Sequence, residues 1–160
     1  MIDLGFLPPP VAVFLMAMLP FFELRLAIPV GILHYHMDPT SAFFVSVLGN
    51  ILPVPFILVL FHRVERYLRR FDRFNRLFDR LFDRTIRRAK ARIHLYEEIA
   101  LILFVAIPAP FTGAWTGALI AYLFDLENKK SFLIITLGVI IAGLIVTAVV
   151  VWGSSMFGLR

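Results

Sequence analysis

The chain has 160 residues, 60% of them hydrophobic, with a mean hydropathy of +0.86, a net charge of +5 and 17 phenylalanines. A soluble domain of this size is nearer half apolar, so long uncharged runs point to membrane spans. The absence of cysteine excludes disulfides and thiolate metal sites, and twelve of the sixteen basic residues lie between Arg63 and Arg92, the pattern of a cytoplasmic flank rather than of a nucleic-acid binder.

The lead, Met1 to Pro10, carries Asp3 without Lys or Arg and ends in three prolines, so no cleavable signal is expected there. Val11 to Leu19 is apolar and, as helix, reaches about 14 Å, roughly half a bilayer core. Pro20 should break it. Phe21 to Ile28 holds Glu23 and Arg25, and Pro29-Val30-Gly31 should break the chain again. His34 to Pro39 is a polar turn, after which Thr40 or Ser41 can cap a helix. Thr40 to Phe61 is long enough to cross a membrane, with Gly49-Asn50 and Pro53-Val54-Pro55 as its interruptions.

The basic block, residues 62–96, reads as a strongly amphipathic helix. Leu60, Phe71, Phe82 and Ile93 recur every eleven residues, as do Tyr67, Phe78 and Ala89, which keeps one apolar stripe aligned. Glu65–Arg69, Asp72–Arg76 and Asp83–Arg87 are acid-to-base pairs one turn apart. Such a helix suits a membrane surface, Phe among the acyl chains and Arg on anionic headgroups; packing on itself or on a second subunit is the competing reading. Leu101 to Ile107 is another half-span, interrupted by Pro108-Ala109-Pro110; Phe111 to Phe124 follows, with Gly113, Gly117 and Ala121 in small-xxx-small spacing. After a polar turn at Asp125 to Lys130, Ser131 to Trp152 is a second full span.

The halves repeat one order: a half-span, a proline-bracketed polar stretch, a Tyr-x-x-Asp turn (Tyr35 to Asp38, Tyr122 to Asp125) and a full span. If residues 11–33 and 101–124 cross fully, both turns lie outside and Lys129 and Lys130 are external. If each is a re-entrant hairpin, the turns lie on opposite sides and the positive-inside rule is obeyed at both. The second arrangement is favoured. The expected fold is therefore an all-α integral membrane protein of one domain, residues 1–160. It is an inverted repeat of re-entrant hairpin plus transmembrane helix (residues 11–61 and 97–153), with the basic helix cytoplasmic between them.

Glu23 and Arg25 are the costliest residues in that scheme, because charge inside an apolar segment is retained at a penalty. The Arg25 guanidinium suits a phosphate or carboxylate, and Glu23 could carry a proton or hold Arg25. A buried pair that merely fixes hairpin geometry is the structural alternative. Asn50, Thr112 and Trp115 are expected near the same site, Thr112 as a donor to an anion and Trp115 as a stacking or closing residue. Pro20, Pro29, Pro108 and Pro110 are expected to break the hairpins. His34-x-His36-x-Asp38 is a weak metal pattern and no metal is expected; no catalytic residue, nucleophile arrangement or phosphate loop can be read, so neither an enzyme nor a cofactor is expected.

The motif Pro-x-x-Glu-Leu-Arg-x-Ala-Ile-Pro (Pro20 to Pro29), Gly49-Asn50, and Ile107-Pro108-x-Pro110-x-Thr112-Gly113-Ala114-Trp115 resemble those of the small multidrug export protein family. More distantly the chain looks like DedA-type membrane proteins, which have paired re-entrant hairpins with charges near their tips. The resemblance implies a multi-pass cell-membrane transporter, proton-coupled, moving an amphipathic molecule; a flippase or scramblase of lipid phosphates such as a polyprenyl phosphate is the alternative. A scaffold whose basic helix recruits anionic lipid or a partner is the reading of another class. The expected partners are membrane lipids and a second copy in a homodimer, not nucleic acid.

Overall fold

The computed structural model describes residues 7–68, 94–109, 112–124 and 126–156, with the side chains of His62, Glu65, Arg66, Leu68 and residues 94–97 left aside. Most of the basic block (residues 69–93), Pro110 and Asp125 lie outside those residues, and with them the eleven-residue stripe and one of the four expected hairpin breakers.

Among the described residues every regular element is helical. Helix α1 (Pro9–Met18) starts with proline at a first-turn position, where its missing N–H costs nothing. It stops at Leu19, which is extended (φ −78°, ψ 138°) because the ring of Pro20 disfavours helix at the residue before it. After a short turn, α2 (Glu23–Pro29) begins at Glu23, whose φ of 49° is left-handed.

The expected break at Pro29 does not occur. The chain continues through it into a wider helical turn, Val30–His34, in which the Tyr35 N–H reaches back five residues to the Val30 carbonyl at 3.0 Å. A π turn accommodates the missing proline donor without ending the helix. The cap of the next helix also differs from expectation. The Asp38 carboxylate accepts the N–H groups of Thr40 (2.9 Å) and Ser41 (3.2 Å), and Pro39 takes the first helical position. Thr40 and Ser41 are the capped residues, not the caps; an Asp cap is worth about 0.5–2 kcal/mol.

Helices α3 (Pro39–Ile51) and α4 (Pro53–Leu68) join at Leu52, which stays helical, and Pro39–Phe61 is long and apolar enough to cross a membrane. The chain resumes as α5 (His94–Ala106), breaks, and forms α6 (Ala114–Leu123) and α7 (Asn128–Met156), the second helix of spanning length.

Packing follows the small residues. Gly49 of α3 admits α1 so closely that a Cβ there would stand 2.5 Å from the Phe14 carbonyl oxygen. Gly31 sits against Val13 of α1 and Ala42 of α3, so the end of the α2 segment lies beside the first part of α1 and the two run back along each other. In the second half, Val105 of α5 is received by Gly117 of α6 and Gly138 of α7. Lys130 at the start of α7 pairs with Glu98 near the start of α5 at 2.5 Å. Across the halves, α2 packs on α7 and α6 packs on α4. The rings of Tyr122 and Phe61 lie 5.6 Å apart, so the end of α6 is at the far end of the α3–α4 helix from the Tyr35–Asp38 turn. The shared core is aliphatic, with Leu24, Ile28, Leu58, Val105, Ile135 and Val139 fully enclosed, while Phe44, Leu48, Phe56, Leu133, Val149 and Trp152 face outward.

Candidate functional site

Two interrupted segments meet: residues 19–23 between α1 and α2, and residues 107–109 and 112–113 between α5 and α6. They bound a cavity of about 550 Å³, in the range of small-molecule sites. Its lining combines Pro20, Phe21, Leu26, Pro108 and Ala109 with Arg25, Thr112 and Thr116; Glu23, Gly113 and Trp115 form its floor.

Arg25 reaches from the first half to the second. Its Nη1 donates to the Ala109 carbonyl, and its Nη2 to the Ile107 carbonyl at 3.2 Å and the Thr112 hydroxyl at 2.8 Å. The Thr112 Oγ1 lies 2.6 Å from the Ile107 oxygen and 2.8 Å from that of Ala109, so its one hydrogen serves this loop; it also accepts the Ala109 N–H at 3.2 Å. The carbonyls just past the end of α5 are therefore gathered by a cation, as the negative end of a helix favours.

Glu23 does the reverse. It is 6% exposed, and its carboxylate lies against the start of α6, at Gly113 and near the backbone N–H of Trp115. The approach depends on Gly113, since a Cβ at that position would overlap the carboxylate. A carboxylate at the positive end of a ten-residue helix is favourable, by about 0.3–1 kcal/mol at a surface and up to about 2 when partly buried. The left-handed φ at Glu23 aims the side chain there at a cost of about 1–2 kcal/mol. The two charges of one half thus close the two helix ends left open by the break in the other half.

Trp115 closes the same junction from the opposite direction, its indole N–H donating to the Met18 carbonyl at 3.1 Å. Asn50 lies behind Glu23 and Arg25, in a space shared with Val139 and Ala142 that holds no room for water. It is 1% exposed, and among the described residues neither its Oδ1 nor the buried Ser46 hydroxyl, one turn earlier on α3, has a hydrogen-bond partner.

Of the residues expected at a site, Glu23, Arg25, Thr112, Trp115, Pro20 and Pro108 line the same cavity; Asn50 is outside that lining, in the closed space behind Glu23 and Arg25, and Pro29 stands apart on α2. Sequence reasoning missed Gly113 as the seat of the Glu23 carboxylate, having placed it in a small-residue series, and missed the carbonyls of Ile107 and Ala109, which no side-chain pattern encodes. The His34–Asp38 stretch is a turn in which His34 packs edge-on to Tyr35, 4.9 Å between ring centres, and Asp38 caps α3. No group of three metal-ligating side chains occurs among the described residues.

No curated protein and no solved structure matches the chain. A family model matches residues 23–145, from Glu23 through the break between α5 and α6 into α7. The chain belongs to the family described as "Putative small multi-drug export protein".

Proposed function

We propose that this protein is a small proton-coupled transporter that moves an amphipathic molecule through the cavity between its two broken segments. Export is the family's class, which is not an enzyme class, and with two helices of spanning length the chain is a membrane protein. The observation that carries the reading is the cavity of about 550 Å³, whose lining joins Pro20, Phe21, Leu26 and Pro108 with Arg25 and Thr112. Its two tips come from different halves and meet through Glu23 and Arg25, as expected where two hairpins dip from opposite sides to a common depth. In this arrangement the α1–α2 and α5–α6 pairs are re-entrant, the halves are inverted, and residues 62–96 are cytoplasmic in the cell membrane. Opposite placement of the Tyr35–Asp38 turn and the α6–α7 connection along α3–α4 supports it. A second copy in a homodimer would cover the outward apolar faces.

A lipid-phosphate flippase is the second reading, favoured by Phe21, which is 86% exposed on the rim of the cavity beside Arg25. Headgroup-labelled lipid exposure without any drug separates the two. The primary test is transport by purified protein in liposomes. Glu23→Gln and Arg25→Ala should each abolish movement of substrate while a cooperative unfolding transition persists; unchanged transport in both removes the assignment.

A further inference from the structure

The Glu23 carboxylate occupies the place that a bound anion would take. It lies at the start of α6, on the side opened by Gly113, in the same lining as Arg25 and Trp115. Helix N-termini are general anion seats. This one is built further, by a cation with donors to spare and by a 94%-buried carboxylate already in place. Among the described residues, three of the five Arg25 donors are engaged, by Ala109, Ile107 and Thr112, and two remain for a ligand.

We propose that Glu23 is an internal stand-in for the anionic head of the substrate, and that the head and the ionised Glu23 occupy this seat in turn. The inference rests on the cavity being the transport site, and it names the substrate class: a monoanionic carboxylate, phosphate ester or sulfonate carrying an apolar tail. The tail lies along Pro20, Phe21, Leu26 and Pro108. The charges set the order of events. With the seat empty of substrate, Glu23 and Arg25 sum to zero. Two anions cannot share one helix end and one guanidinium at close range, so the arriving head displaces Glu23 as a neutral acid, its proton taken from water. That acid needs an acceptor for its O–H. Asn50 Oδ1, buried, unbonded and in the same dry space, is that acceptor. The groups around Glu23 are Arg25 on α2, Asn50 on α3, the Thr112 hydroxyl and Gly113 in the break, the Trp115 N–H on α6, and Val139 and Ala142 on α7. Arg25 is the one charge among them. Each anion bound therefore carries one proton with it, and the bound site is as neutral as the free one.

Trp115 reports on the seat directly, since it lines the same cavity as Glu23. The chain has two tryptophans, and Trp152→Phe, on the outward face of α7, makes Trp115 the sole emitter. The Trp152→Phe protein in neutral maltoside micelles is titrated with decanesulfonate, methanesulfonate and decyltrimethylammonium, none of which changes charge between pH 5 and 8. Decanesulfonate should shift the emission saturably and decyltrimethylammonium should not. A saturable response to methanesulfonate as well would assign the seat to soluble anions, and its absence would assign it to tailed ones. The apparent affinity for decanesulfonate should weaken by about tenfold per pH unit while Glu23 is ionised, and in Glu23→Gln this dependence should vanish. No saturable shift with either sulfonate, an equal shift with the cation, or the same pH dependence in Glu23→Gln overturns the proposal. Transport with no anion seat here would leave the transport reading standing without this one.

Discussion

The Glu23 carboxylate lies against Gly113, in space that any other residue at 113 would fill with its own Cβ. The contact joins positions ninety apart in the chain, and it places a negative charge at the start of α6 while Arg25 holds the carbonyls past the end of α5. A charged pair that would be costly in apolar surroundings thereby meets polar groups of the other half at both members.

Gly113→Ala should be among the most damaging single-methyl additions to this protein. The added methyl would occupy the space of the buried carboxylate, and overpacking of this kind costs about 1–3 kcal/mol. Glu23→Ala should cost less in the Gly113→Ala background than in wild type, because the methyl and the carboxylate no longer compete. Denaturation of the four proteins of the cycle in mild detergent measures the coupling, expected at about 0.5–3 kcal/mol; strictly additive effects would mean the two residues do not touch.

Arg25→Lys keeps the charge and loses the fork. One ammonium cannot satisfy Ile107, Ala109 and Thr112 in the geometry of a planar guanidinium, so the loop 107–112 should loosen. A stability loss of about 1–3 kcal/mol is expected for acceptors left unpaired. Hydrogen exchange at 107–116 should rise in this variant and stay unchanged in α3; uniform protection across both would mean that Arg25 does not organise the break.

Much of this was legible beforehand, and the failures have specific causes. Charge inside an apolar run marked Glu23 and Arg25, and proline marked the breaks at Pro20 and Pro108, because both signals are local. Two of the three acceptors of Arg25 could not be read, since they are backbone carbonyls more than eighty residues away; the third, the Thr112 hydroxyl, belongs to a residue expected near the site. The prediction at Pro29 failed because a π turn can absorb a missing N–H, and nothing in composition distinguishes that from a break. Asp38 was passed over as a cap because two hydroxyl residues followed it. Gly113 looked like one of a series of small residues; its role depends on the left-handed turn at Glu23, a conformation that glutamate seldom adopts.

Two glycines on the long helices should separate sharply. A Cβ at Gly49 meets the Phe14 backbone carbonyl, which no rotamer change can relieve, so Gly49→Ala should part α1 from α3 and destabilise by about 1–3 kcal/mol. Nothing lies within 4 Å of a Cβ at Gly153, so Gly153→Ala should be neutral or stabilising by up to about 1 kcal/mol through helix propensity. Thermal melts of the two variants side by side check the ranking.

Cysteines at His36 and Lys129 test the arrangement of the halves. The two positions adjoin turns at opposite ends of the α3–α4 helix. In sealed, uniformly oriented vesicles, a membrane-impermeant maleimide should label one position from outside and the other only after permeabilisation. Labelling of both from the same face would refute inverted hairpins.

The central claim is that Glu23 moves a proton with the substrate, and proton flux measures it most directly. Liposomes containing the purified protein and an internal pH dye are given an inward gradient of an amphipathic sulfonate. Wild type should acidify the lumen as the anion enters, and Glu23→Gln, reconstituted at equal density, should not. Equal acidification by the two proteins would contradict the account.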